Sequence, residues 1–267
     1  MLFRLFRQTA RKLRQLGLGI GSSDDRSIPG GETGDKFPIP PSDLIYLVDG
    51  NTDRGWFIRS GNLAAVSLSS ILETRGLSLS SFGTILDFGC GCGRVIRHIR
   101  TTSKLFGCDY NPNMIDWCRA NLPIAEFRVN QMEPPTGYSN DQFDFIYAFS
   151  VFTHMPEDLG RRWMAEIFRL IRPNGFFVLS LHGDSYLPQM QFEEKQRFLA
   201  GQMVVREAQA AGSNQCGAYH PYTYVQNNLG RDFQIIDYVP QGAKGNPSQD
   251  LYLLQKTTSL PHVRELP

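Results

Sequence analysis

The chain lacks a strong charge imbalance, a long apolar run and a patterned set of cysteines. Its 27 basic and 26 acidic residues nearly cancel, so no global field favours a polyanion such as nucleic acid. Five of those basic residues (Arg4, Arg7, Arg11, Lys12 and Arg14) and none of the acids fall in residues 1–16, which leaves the body mildly acidic. No apolar run approaches the ~18 residues of a membrane span, and the N-terminus has no continuous apolar core of the secretory type. The five cysteines are an odd number, and no Cys/His cluster has metal-site spacing. They read as reduced thiols, which implies the cytosol; His154, His182 and Asp184 could in principle hold a divalent ion, but their spacing is not diagnostic and no metal is expected. No internal repeat and no basic stripe interleaved with aromatics is present in the body, so a nucleic-acid partner is not expected. The 267 residues suffice for one large domain with a sizeable core.

Residues 85–93, ILDFGCGCG, hold the densest information. An apolar run ends in Asp87, then Gly89, Gly91 and Gly93 recur at every second position, and Arg94-Val95-Ile96 open a helix predicted over 93–100. A strand passing through a glycine turn into a helix is a nucleotide-cofactor loop, because glycine permits the sharp turn and lets a ligand lie against bare backbone. Asp87 beside it would repel a pyrophosphate. A cationic ligand, such as a sulfonium amino acid with its ammonium group, would be welcome.

Around this loop the chain divides into five stretches. Residues 2–16 place Arg4, Arg7, Arg11 and Arg14 on one helical face and Leu2, Phe6, Leu13 and Leu16 on the other. That pattern fits a membrane-surface or docking arm, a back-packed terminal helix or a transit peptide. Residues 17–41, rich in Gly, Ser and Pro, read as a linker. Residues 42–83 read as a helical lid: Ser42 caps SDLIYLVD, a turn-rich stretch carries Trp56 and Phe57, and a second helix covers 62–75. Strands and helices alternate from 84 to 256: strands at 84–88, 104–109, 125–130, 143–150 and 175–182, helices at 113–122 and 157–171. Such alternation predicts an α/β fold with a parallel sheet and right-handed crossovers. Residues 184–216 interrupt it as an insertion, with a polar helix over 189–211; a helix at 220–230 follows. The last two strands, 233–239 and 250–256, are too close for a crossover and must be antiparallel. Residues 257–267 form a tail.

Five stretches in order carry a family resemblance: ILDFGCGCG, LFGCD, FDFIYAFSVFTHMPED, LIRPNGFFVLS and the closing strand pair. Together they resemble a class I S-adenosylmethionine-dependent methyltransferase, of the bacterial glycan or small-molecule type, over roughly residues 84–256. The resemblance implies a Rossmann-like, doubly wound, seven-stranded and mostly parallel sheet with an antiparallel last strand and helices on both faces. It implies S-adenosylmethionine as cofactor. Gly89, Gly91 and Gly93 would carry the methionine part, Asp87 its ammonium, and Asp109, about 20 residues on, the ribose hydroxyls. Capping of the next helix is the other reading of Asp109. Tyr110 and Met114 would flank the adenine, Asn130, Gln131 and Met132 would meet its edge, and Phe149 and Ser150 would lie beside the sulfonium. Arg59, with Trp56 and Phe57 of the lid, would reach the cofactor carboxylate.

The implied reaction is in-line methyl transfer, for which an oxygen nucleophile of high pKa needs a base. His182 and His154 are the candidates, with Asp184, Tyr219, His220 and Tyr222 as substrate contacts. Service at the start of the next helix is the other reading of His154. A place in the core is the other reading of His220 and its tyrosines. The Asn-Pro-Pro-Tyr pattern of base amino-group methylation is absent after strand four, where Ser150-Val151-Phe152-Thr153 stands. The expected acceptor is a hydroxyl on a sugar or small molecule, or a lipid-linked one if residues 2–16 touch a membrane. A nicotinamide oxidoreductase would need GxGxxG spacing, and the intact glycine loop with both acids disfavours a non-catalytic relative.

Overall fold

The computed structural model describes residues 36–246 and 249–257. The basic arm, most of the linker and nearly all of the tail lie outside the described residues. The end of the linker is docked: Ile39 is buried, and the Phe37 and Pro38 carbonyls accept from Arg97 Nη2 at 3.1 and 2.7 Å.

Seven strands make the principal sheet, in the order β3-β2-β1-β4-β5-β9-β8. They are β1 (Thr84–Phe88), β2 (Lys104–Asp109), β3 (Ala125–Val129), β4 (Phe143–Ala148), β5 (Ile171–His182), β8 (Gln234–Val239) and β9 (Gln249–Gln255). The first five are mutually parallel, and β9 runs against both β5 and β8. All six residues of β4 are buried, as a strand covered on both faces requires. Its one charge, Asp144, is held by the Gly83 and Thr84 amides at 2.7 Å and by Arg172 at 2.6 Å.

Helices α1 (Ser42–Asp49), α2 (Arg54–Glu73) and α3 (Pro112–Asn121) cover one face, over Ile85, Phe145, Val178 and Leu251. Helix α4 (Glu157–Leu170) covers the other, over Leu86, Ile146, Leu179 and Leu254. Leu159, Trp163, Met164, Ile167 and Leu170 give α4 its buried stripe, and Glu157, Asp158 and Arg169 match its dipole.

Four expectations are corrected. Helix α1 is capped by Pro41 without a side-chain bond, rather than by Ser42. Helix α2 starts at Arg54, because the Asp53 carboxylate accepts from the Trp56 amide, so the stretch around Trp56 and Phe57 is helical. The helix expected over 93–100 shrinks to one 3-10 turn, Ile96–His98. There α2 lies directly on the chain: a Cβ on Gly61 would stand 2.0 Å from the Arg94 carbonyl oxygen. The insertion is α-helical over α5 (Phe192–Leu199), flanked by 3-10 turns at Asp184–Gln189 and Ala208–Ala210, and continues into an antiparallel pair, β6 (Val204–Arg206) and β7 (Gly217–Tyr219). His182 of β5 pairs with Gln249 of β9 on one side and with Tyr219 of β7 on the other. Strand β7 therefore extends the β4 side past the end of β4 and roofs the carboxyl edge of the sheet.

The Gly61 contact is with backbone, which no rotamer change relieves. Gly61→Ala is expected to cost about 3 kcal/mol and to lower the melting temperature by roughly 6–12 °C. Gly137→Ala, where an added Cβ meets nothing within 4 Å, is the matched control in the same thermal scan.

Candidate active site

The crevice lies at the carboxyl ends of β1 and β4, where successive crossovers leave in opposite directions. Gly89, Gly91 and Gly93 have φ of +74°, +54° and +79°. A Cβ on Gly89 would meet Val151 at 2.4 Å, and one on Gly91 would meet Val48 of α1 at 2.8 Å. The turn is thus left-handed and closely covered, and only glycine fits it.

Asp87 is buried, and its Oδ2 has no hydrogen-bond partner among the described residues. Burial pushes its carboxyl up to about 7, against the pull of the Tyr147 hydroxyl and the Arg94 guanidinium. An ammonium group is the natural complement of such a buried, unsatisfied carboxylate oxygen. Asp109 is buried with both oxygens engaged: Oδ2 accepts from the Gly91 amide at 2.9 Å and Oδ1 from the Asn111 amide at 2.8 Å. It ties the glycine turn to the end of β2 and keeps lone pairs for a hydroxyl. The cap of α3 is Asn111, not Asp109. Asp109→Ala is expected to weaken S-adenosylhomocysteine binding by about 1–3 kcal/mol; unchanged calorimetric affinity would remove the ribose role.

The other expected cofactor residues gather on the same side. Met114 is buried beside Gly91, its sulfur 3.7 Å from where a Cβ there would stand. Tyr110 donates its hydroxyl to the Gly212 carbonyl at 2.8 Å, and Gly212 packs between Met132 and Tyr110. Asn130 keeps a buried Oδ1 without a partner among the described residues, the complement of an exocyclic amine, whereas Gln131 is exposed. Phe149 is buried, and Ser150 adopts φ +59°. Arg59 is exposed and stands over the Trp56 ring, while Phe57 is core under Arg97.

Ser150 leads into a buried polar chain that the sequence did not reveal. Its amide donates to Ser180 Oγ at 2.8 Å, and Ser180 donates to Gln249 Oε1 at 2.7 Å. That fixes the Gln249 amide, whose Nε2 donates to Ser150 Oγ at 2.9 Å and faces His182 Nε2 at 3.4 Å. His182 Nε2 thereby carries the lone pair and Nδ1 the proton. His154 donates from Nδ1 to the Cys216 carbonyl at 2.7 Å, so its Nε2 is also an acceptor. It does not serve α4, whose cap is Pro156. The two rings lie 6.4 Å apart, and Tyr186 and Tyr219 pack on His182 at 4.4 and 5.2 Å. Burial pushes His182 down to about 4, with His154 adding to the effect, and lowers His154 as well. Both imidazoles are neutral at pH 7. Arg206 lies over the Tyr219 ring at 4.9 Å, its charge taken by Glu194 at 2.5 Å.

Two expected substrate contacts, Asp184 and Tyr222, do not join this cluster. Side chains alternate along β9, so Gln249 and Leu251 face the cofactor side and Asp250 and Tyr252 the other. Tyr222 packs on Tyr238 and Tyr252, on that opposite face. Asp184 is exposed and acts electrostatically on Asp250, Tyr238 and Tyr252, not on His182. His220 is buried beside Tyr224; its amide donates to the His182 carbonyl at 2.8 Å, and burial, with His182 adding to the effect, lowers it to about 3. Of the proposed aromatic group, Tyr219 packs on His182 and His220 lies within its electrostatic reach. No helix among the described residues is long and apolar enough to cross a membrane.

This sheet order, with a glycine turn between two buried acids at its switch point, defines a methyltransferase of the nucleotide-binding α/β class. Residues 85–175 match a family described as a methyltransferase domain. Over 203 residues the chain is 26% identical to malonyl-[acyl-carrier protein] O-methyltransferase of Hahella chejuensis (strain KCTC 2396), covering 66% of this chain and 70% of that protein. Among solved structures, the Burkholderia thailandensis 1,6-didemethyltoxoflavin-N1-methyltransferase, bound to 1,6-didemethyltoxoflavin and S-adenosylhomocysteine, superposes with a TM-score of 0.53 at 18% identity, covering 81% of this chain and 86% of that one. An S-adenosylmethionine-dependent methyltransferase from Mesorhizobium loti gives 0.53 at 18% identity, covering 72% and 99%. The chain is a class I S-adenosylmethionine-dependent methyltransferase.

Proposed function

We propose that the enzyme methylates a neutral hydroxyl oxygen on a small-molecule, sugar or lipid-linked acceptor. The neutral histidine pair carries this reading. A carboxylate acceptor calls for a cation to receive it, and the guanidinium at the cluster is already paired with Glu194. A hydroxyl needs a proton acceptor, and the neutral His182 supplies its Nε2 lone pair once the hydroxyl displaces the Gln249 amide that faces it at 3.4 Å. Tyr186 and Tyr219 supply flat apolar surface on which a sugar or aromatic ring stacks.

S-adenosylmethionine, when bound, supplies an activated methyl group whose transfer leaves a neutral thioether. The chain's own residues hold the geometry. Ser150, Ser180 and Gln249 orient His182, and the insertion roofs the site and excludes water. His182 takes the hydroxyl proton as the oxygen–carbon bond forms, then releases it to solvent. The acidic body makes nucleic acid a poor acceptor.

Methyl-labelled cofactor with fractionated extract tests the reading. The expected label enters glycan, lipid or small-molecule fractions and survives mild alkali, as a methyl ether does. Label released by alkali, as from a methyl ester, would overturn the hydroxyl assignment.

A further inference from the structure

Arg94, directly after the last glycine of the turn, has a fully buried guanidinium. Its Nη2 donates to Asn246 Oδ1 at 2.7 Å, its Nη1 to Ser60 Oγ at 3.3 Å, and its Nε stands 3.5 Å from Asp49 Oδ1 at the end of α1. It also acts electrostatically on Asp87. One cation thus ties the cofactor turn to the lid, to α2 and to the loop before β9. That loop is held in place: Gly245 has φ +82°, a Cβ there would stand 2.1 Å from the Ser60 carbonyl oxygen, and the Lys244 amide donates to Ser67 Oγ at 2.9 Å.

Three of the side chains around this cation each keep one buried polar atom without a hydrogen-bond partner among the described residues. They are Asp49 Oδ2, Asp87 Oδ2 and Asn246 Nδ2. Their exposures are small: 7% for the Asp49 side chain, 3% for Asp87 and 6% for Asn246. A buried polar atom left unpaired is costly, and three beside one guanidinium call for a shared ligand. The set is two carboxylate acceptors and one amide donor. A free α-amino acid group complements all three, its ammonium donating to the carboxylates and its carboxylate accepting from the amide.

We propose that Asp49 of the lid and Asn246 of the loop before β9 join Asp87 in seating the amino-acid end of the cofactor, with Arg94 fixing both. This rests on the methyltransferase assignment but not on the nature of the acceptor. Asp49 sits on α1, so the lid itself becomes part of the cofactor site.

Calorimetry on the full chain with two ligands tests this. S-adenosylhomocysteine carries the amino-acid end; 5′-methylthioadenosine has the same nucleoside thioether without it. Asn246→Asp and Asp49→Asn keep the oxygen that faces Arg94, so they preserve the packing while altering the free atom. Each is expected to weaken S-adenosylhomocysteine by about tenfold or more, as for loss of one charge-assisted bond, with 5′-methylthioadenosine unchanged. Unmoved S-adenosylhomocysteine affinity, or equal losses for both ligands, would overturn the proposal. The parent protein gives a second check that no variant can spoil: it must bind S-adenosylhomocysteine at least about a hundredfold more tightly than 5′-methylthioadenosine, and equal affinity sinks the assignment. Parent protein that binds neither ligand would instead strike the methyltransferase assignment itself.

Discussion

Asp87→Asn is expected to weaken S-adenosylhomocysteine binding by roughly two to four orders of magnitude, as removal of one partner from a buried ion pair costs about 3–5 kcal/mol. The carboxylate is desolvated by burial, and its Oδ2 has no hydrogen-bond partner among the described residues. The same burial makes the loss depend on pH. With its carboxyl raised to about 7, Asp87 is protonated in the free protein below that pH and must ionise to receive an ammonium group. Affinity should therefore fall by about tenfold per unit as pH drops below 7 and level off above it. In Asp87→Asn that slope should vanish. Stability of the ligand-free protein moves the other way. A raised carboxyl binds a proton more tightly when folded, so its contribution is complete below the ordinary value of 3.8 and is lost as pH rises through about 7. Thermal scans of the free protein and Asp87→Asn across pH 4–8 should converge at the acid end and diverge at the basic end, the variant being the more stable there. An affinity profile flat between pH 5 and 8 would show that Asp87 is not the ammonium's partner.

His182→Ala is expected to lower kcat by about a hundredfold, the lower end for loss of a general base, while leaving S-adenosylhomocysteine affinity intact. The low end applies because an imidazole held near 4 is a weak base, even though it is wholly unprotonated at neutral pH. Two acid limbs should then separate in wild-type kinetics. The kcat/KM for cofactor should bend near pH 7, where Asp87 titrates, whereas kcat at saturating cofactor should hold down to about 5 and fall only toward 4. Full turnover in His182→Ala would exclude it as the proton acceptor and leave His154, whose Nε2 is likewise an acceptor.

The strands and the glycine turn were legible because their signals are local. TILDF, KLFGCD and FDFIYA are strands at or within a residue or two of where apolar runs and flanking turns place them. The start of helix α2 is hidden in the sequence because Asp53, a strong cap, sits in a stretch whose glycines look like turns. The segment after the glycine turn has a helical pattern but forms only one turn, because nothing near Arg94 in sequence announces that Gly61 presses on it.

Residue type and spacing alone determined the α/β class, the glycine turn and the acids beside it, since these signals lie within short stretches of chain, whereas the cofactor followed from the family resemblance that those stretches carry. Which residues face the acceptor was decided by tertiary structure. Gln249 reaches His182 because β9 runs antiparallel beside β5, and Tyr219 reaches it because β7 lies along the other side. Asp184 and Tyr222 are as close in sequence to His182 and Tyr219 as any partner, yet they face away. A strand alternates its side chains, and long-range pairing decides which set meets the cofactor.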